Sequence, residues 1–191
     1  MKKIILASSS PRRKQLLQIL GLPFIVVSSN IEEKLDPKLF PREQVELLSR
    51  QKAEAVGKKF DDALIIAADT MVSYKGKLFG KPEDKEDAKK MLGQLSGTQH
   101  TIVTGFTILD TKTKKCVTKS TETKIWFRRI TQQEIADFIK REKPFDKAGA
   151  YAIHELAAVF VRKIEGDYMG AVGLSIFQVA KVLKEFGIEV L

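Results

Sequence analysis

The six residues Ala63-Leu64-Ile65-Ile66-Ala67-Ala68 run without a polar group and are followed at once by Asp69. No other segment constrains the chain as much. The run is short and has isoleucines at its centre, which fits a strand, and the lack of polar alternation means that both of its faces are covered. The pattern continues past Asp69-Thr70 through Met71-Val72-Ser73-Tyr74. A carboxylate closing such a run is costly unless it is paired or bound to a cation. Two readings of Asp69 stay open on this ground. It is a cap or ion-pair partner, or it is a general base or metal ligand at the mouth of a sheet.

The flanking sequence supplies helices to cover that strand. Residues 3–7 and 24–28 read as strands, 11–20 as a helix closed by Gly21, and 41–58 as a helix with Val45, Leu48, Ala53 and Val56 among charged residues. Residues 83–95 read as a short charged helix placed by Pro82, with Glu83 and Asp84 suited to its first turn. Residues 98–110 and 117–130 are two long strands around the polar turn 111–115. Residues 131–141 are a helix with Thr131 and Glu134 as a capping box. Residues 157–164 are a strand, 174–186 the last helix, closed by Gly187, and 188–191 a terminal strand. The fold class is α/β: a mixed, strongly twisted sheet with flanking helices, its central hairpin suggesting two lobes around a cleft. Residues 1–191 are expected to form one domain.

The start of the second element breaks a local rule. Ser10 fits an N-cap and Pro11 the first helical position, yet Arg12, Arg13 and Lys14 crowd the positive end of the helix dipole. A bound polyanion would turn that liability into an asset, with Ser8, Ser9 and Ser10, free N–H groups and guanidinium groups aimed at one phosphate. The net charge of +9, from 33 basic and 24 acidic residues, suits a phosphate-bearing partner.

Other residues narrow the chemistry by exclusion. Cys116 is the sole cysteine, so an intrachain disulfide and a thiolate metal cluster are ruled out. No apolar run reaches the roughly 20 residues that span a membrane, and the short apolar start reads as a strand and not a signal peptide, which makes the cytoplasm the default location. No Walker A, GxGxxG or HExxH pattern occurs. Gly80-Lys81-Pro82 offers a lysine as a point charge for phosphate, or only a loop. Glu32-Glu33 is a solvated acidic loop, or half of a divalent-cation site shared with Asp69, since Mg²⁺ favours carboxylates together with phosphate oxygens. His100 reads as structural. Asp146-Lys147-Ala148-Gly149-Ala150-Tyr151 and the glycines at 166, 170 and 173 are small-residue loops.

Taken in order, Ala7-Ser8-Ser9-Ser10-Pro11-Arg12-Arg13, Lys52, Ala68-Asp69-Thr70, Gly80-Lys81-Pro82, Ser96-Gly97, His100, Val103-Thr104-Gly105, Asp146 to Tyr151, Gly166-Asp167-Tyr168 and Val172-Gly173-Leu174 resemble the Maf family of nucleoside triphosphate pyrophosphatases, also called septum formation inhibitor proteins. The resemblance spans almost the whole chain. It implies hydrolysis between the α and β phosphates, a divalent metal (Mg²⁺ or Mn²⁺) and a homodimer, with no need for nucleic acid or membrane. It makes Asp69 the catalytic residue, Glu33 and Asp69 the metal ligands, and Ser8, Arg12, Arg13, Lys52, Thr70, Lys81 and His154 the substrate-binding residues. Arg12, Thr70 and His154 match positions linked to base selection. The 146–151 loop looks like the branch acting on dTTP and UTP, although His154-Glu155 stands where that branch typically has Gln-Gly. The rival reading is a nucleotide- or nucleic-acid-binding regulator of cell division that performs no chemistry.

Overall fold

The computed structural model describes residues 2–191. Among these residues seven strands form one mixed sheet. β1 (Lys3–Leu6) pairs in parallel with β2 (Phe24–Val26) and with β3 (Ala63–Tyr74), bringing Ile5 beside Ile65 and Leu6 beside Ile66. β4 (Lys77–Phe79) folds back antiparallel on the far end of β3. The sheet then continues through β5 (Gln99–Asp110), β6 (Cys116–Phe127) and β7 (Val161–Gly166), in the order β2-β1-β3-β5-β6-β7. The helices are α1 (Pro11–Gln18), α2 (Pro41–Gly57), α3 (Lys85–Leu95), α4 (Gln132–Glu142), α5 (Tyr168–Val172) and α6 (Ile176–Lys184). The mixed α/β class expected from the apolar run and the central hairpin is the one found.

The chain divides into two compact units, and the division falls within β3, β5 and β6. The first holds the N-terminal segment to Asp69, Thr104–Thr121 and Gly173–Leu191; the second holds Thr70–Val103 and Glu122–Val172. In the first unit all of Ala63 to Ala68 is fully buried, as an apolar run without alternation requires. Ile5, Ala7, Ile65 and Ala67 pack there with Ala53 and Val56 of α2. The helix presents Gln44, Leu48, Lys52 and Val56 on its buried side at intervals of four. It lies unusually close to the sheet, for a Cβ built on Gly105 of β5 would stand 2.6 Å from the carbonyl of Val45. A chain of hydroxyls, Ser49 to Thr107 at 2.8 Å and Thr107 to Thr118 at 2.9 Å, fixes the register of α2 against β5 and β6.

The second unit has its own core, in which Leu92, Leu95, Ile125, Ile135 and Phe160 surround an aromatic cluster of His100, Phe127 and Tyr151. His100 Nε2 lies 2.6 Å from the Tyr151 hydroxyl, while its Nδ1 is buried with no hydrogen-bond partner among the described residues. Burial pulls the imidazole down to about 4 and pushes the Tyr151 phenol up. His100 is therefore neutral when folded, whereas an unfolded chain takes up that proton below pH 6.5 or so. Stability contributed by His100 is complete above about pH 6.5 and falls as the pH drops toward 4. Urea unfolding should show a loss of about 2 kcal/mol between pH 7.5 and pH 5, and His100→Gln should flatten that slope. An unchanged slope in the variant would assign the pH dependence elsewhere.

Several expected boundaries move. α3 begins at Lys85 because Asp84 is its N-cap, its side chain accepting from Asp87 N–H at 2.8 Å, so Glu83 and Asp84 precede the helix. Residues 156–160 form a 3₁₀ turn, held by Ala158 N–H donating to Glu155 O, and pairing with β6 begins only at Val161 opposite Phe127. The short α5 lies in the glycine-bearing stretch expected to be a loop. Residues 188–191 are not a strand: Gly187 takes a φ of 76° and Ile188 N–H donates to Leu183 O, which closes α6 instead. None of the helices formed by the described residues is long and apolar enough to cross a membrane.

Candidate active site

β1 delivers the chain to a tight corner before α1. Ser8 N–H donates to Leu6 O at 3.0 Å, and Ser8 Oγ, nearly buried, accepts from Ser10 N–H at 3.1 Å. Ser10 then caps α1, with Pro11 in the first turn. The Arg13 Nε donates to Gly173 O at 3.0 Å. Desolvation pulls Arg13 down from the usual guanidinium range, and the charges of Asp69 and Glu33 oppose that pull. The cation that the helix dipole disfavours is thus offset by carboxylates of the same unit.

Those carboxylates meet on one lysine. Lys52 Nζ lies 2.6 Å from Asp69 Oδ1 and 2.7 Å from Glu33 Oε1. The Lys52 and Asp69 side chains are only 7% and 6% exposed, whereas that of Glu33 is 42% exposed. Lys52 reaches this point because it occupies the buried side of α2, one turn from Leu48 and one from Val56. Asp69 reaches it from β3, and Glu33 from the irregular segment after β2. Asp69 Oδ2 is buried and has no hydrogen-bond partner among the described residues. A buried carboxylate oxygen left unpaired is costly and calls for a proton, a water or a cation. The donor set, two carboxylates and no thiolate or imidazole, fits a hard cation such as Mg²⁺ or Mn²⁺. No group of three or more acidic, histidine or cysteine side chains that could hold a metal alone occurs among the described residues. Any such ion would draw further oxygens from water or substrate.

The remaining expected residues belong to the second unit. Thr70 follows Asp69 in β3 and is partly buried. Gly80 O accepts from Gly149 N–H at 2.9 Å, which joins the Gly80-Lys81-Pro82 turn to the 146–151 loop. Gly149 has a φ of 67°, and a Cβ there would stand 2.8 Å from Val72 Cγ2, so this close passage needs glycine. His154 Nε2 is 3.7 Å from Glu155 Oε1. Glu155 also meets Lys147 at 3.4 Å, and Lys147 pairs with Asp146 at 2.9 Å. Lys147, 11% exposed at its side chain, belongs to the expected 146–151 loop but has no site role in the sequence reading. Its signal was present as a lone cation in a run of small residues. The structure thus gathers Arg13, Glu33, Lys52 and Asp69 within the first unit, which also holds Ser8 and Arg12; Thr70, Lys81 and His154 lie in the second.

The sequence model of the Maf-like protein family matches residues 3–186. A protein of Alkaliphilus oremlandii named dTTP/UTP pyrophosphatase is 47% identical over 185 residues, covering 96% of each chain. One of the same name from Pelotomaculum thermopropionicum is 44% identical over 191 residues, with complete coverage of both chains. Among solved structures, the Staphylococcus aureus Ham1 protein is 15% identical, with a TM-score of 0.45 over 66% of this chain and 72% of that one.

Proposed function

The chain belongs to the Maf family, and from that membership and its buried carboxylate–lysine cluster we propose that it hydrolyses the α–β phosphoanhydride of dTTP and UTP, releasing the nucleoside monophosphate and pyrophosphate. The observation that carries the reading is Asp69: buried, held at one oxygen by Lys52 and unpartnered at the other. A protein that only bound a polyanion would have no use for two carboxylates among its cations.

In this reading Asp69 Oδ2 takes the proton of a water that attacks the α-phosphorus, and the bond from that phosphorus to the bridging oxygen of pyrophosphate breaks. Ser8, Arg12, Arg13 and Lys52 bind phosphate oxygens and hold the α-phosphorus in line for attack. Glu33 and Asp69 would hold a Mg²⁺ or Mn²⁺ ion, which supplies neutralisation of the charge that builds on the phosphoryl oxygens. Substrate roles for Thr70, Lys81 and His154, with base selection at Arg12, Thr70 and His154, rest on the family resemblance. So do a homodimer, a cytoplasmic location and residues 1–191 as one Maf-like domain.

A panel of nucleoside triphosphates incubated with Mg²⁺ or Mn²⁺ and read by pyrophosphate detection tests the proposal. The expected result is pyrophosphate in equal amount to monophosphate, with dTTP and UTP the best substrates. Orthophosphate as the first product would indicate a phosphatase. No product from any nucleotide, with steeply salt-dependent DNA binding, would favour the regulator.

A further inference from the structure

We propose that Lys52 is an exchangeable counter-ion. Its ammonium holds the Glu33 and Asp69 carboxylates together in the nucleotide-free protein and passes to the triphosphate when a divalent cation takes those carboxylates. The proposal rests on the pyrophosphatase reading and adds a property to it: cation and triphosphate enter as one coupled event.

Two carboxylates drawn from separate segments repel one another, and Lys52 Nζ bridges them, 2.6 Å from Asp69 Oδ1 and 2.7 Å from Glu33 Oε1. Both Asp69 and the ammonium are shielded from water, so neither can lose its partner without a replacement. The two oxygens that hold the ammonium are also the hard donors that a divalent cation prefers. An ammonium and a divalent ion on the same pair of oxygens would repel one another, most strongly at the Asp69 end, where both side chains are shielded from water. The two cations therefore compete.

Each ligand alone leaves a charge stranded. A divalent cation arriving without nucleotide would leave the Lys52 ammonium buried with no anion. A triphosphate arriving without the cation would draw the ammonium away from Asp69 and take from that carboxylate its hydrogen-bonded counter-ion. When both arrive, every charge has a partner. The coupling is reciprocal, so cation favours triphosphate by the same factor as triphosphate favours cation. Lysine suits this role because its charge is compact and its four-carbon stem can swing, whereas a guanidinium would stay forked across both carboxylates. The exchange uses Asp69 Oδ1 and Glu33 Oε1 and leaves Asp69 Oδ2 to take the proton of the attacking water.

MnCl₂ alone, titrated into wild type, Lys52→Gln and Lys52→Arg with free Mn²⁺ read by electron paramagnetic resonance, tests the exchange. Lys52→Gln should bind Mn²⁺ about tenfold or more tightly than wild type, within the usual span of coupling between sites. Lys52→Arg, which keeps the positive charge, should bind it no more tightly than wild type. Unchanged or weaker affinity in Lys52→Gln, or equal tightening in Lys52→Arg, overturns the proposal. If Lys52→Gln does not fold, the wild-type protein decides. The ¹³Cε and ¹⁵Nζ resonances of Lys52 should stay in place with MgCl₂ alone and shift when a dUTP analogue with an imido α–β bridge is added. A full shift with MgCl₂ alone, or none with both, is the contrary result. Pyrophosphate release by the same wild-type preparation is measured alongside, so failure of the pyrophosphatase reading is seen separately.

Discussion

Asp69→Asn should lower kcat by about 10²–10⁴-fold, the usual contribution of a positioned base, while the nucleotide still binds. Asparagine keeps the shape of the side chain, and its carbonyl can still accept from Lys52. What it loses is the capacity to take a proton at the second oxygen, the atom that is buried and unpartnered. KM should move far less than kcat, because Ser8, Arg12 and Arg13 are untouched and an interaction used mainly in the transition state appears mainly in kcat. The fold should survive. Removing one member of a buried ion pair costs about 3–5 kcal/mol when the other charge is stranded, but Lys52 keeps Glu33 at 2.7 Å. Steady-state pyrophosphate release together with equilibrium binding of the imido analogue separates the two effects. A variant that turns over at close to the wild-type rate would remove Asp69 from the role of base.

How much of this was legible before the structure depends on how local the cause is. The apolar run 63–68 announced β3 because burial on both faces leaves no position for a polar residue. The Thr131–Glu134 capping box is formed as the spacing required, Glu134 accepting from Thr131 N–H at 2.8 Å. Where the sequence misled, tertiary pairing decided. Residues 157–160 are apolar enough for a strand, yet their backbone groups are met within a 3₁₀ turn and by Arg128 N–H donating to Phe160 O. The terminal Ile188 is apolar too, but Leu183 O accepts its N–H and leaves it to cap a helix.

The site was partly readable in the same sense. Asp69 stood out by position. Lys52 did not stand out by chemistry, although its interval of four from Leu48 and Val56 placed it on the apolar side of α2. A cation on that side needs an anion. That the anions are Asp69 and Glu33 together is a fact of three distant segments meeting, which no local pattern encodes. The arginines at the start of α1 show the reverse case. Their conflict with the helix dipole was plain in the sequence, while part of its resolution, Arg13 reaching Gly173 O 160 positions away, was not.

The largest effect on stability should come from Gly105→Ala. Gly105 does not have a positive φ, so the demand for glycine is purely one of space. The added Cβ would meet Val45 C and O at 2.6 Å and Glu46 N at 2.8 Å. These are backbone atoms in the first half of α2, and no rotamer change can relieve them. Overpacking of side chains commonly costs 1–3 kcal/mol, and a clash with helix backbone should cost about 3 kcal/mol or more, a large part of the roughly 5–15 kcal/mol that holds a domain folded. The helix can yield only by lifting from β5, which breaks the Ser49–Thr107–Thr118 hydroxyl chain and carries Lys52 away from Asp69. The folded fraction of Gly105→Ala should therefore also lose activity. Gly93→Ala is the matched control. Gly93 lies within α3, nothing stands within 4 Å of its added Cβ, and alanine there should stabilise by about 0.5–1 kcal/mol. Urea midpoints moving in opposite directions for the two substitutions would tie the position of Lys52 to the close approach of α2 and β5. A Gly105→Ala protein as stable as wild type would mean that α2 has room to stand off the sheet, and that the lysine is positioned by its carboxylates alone.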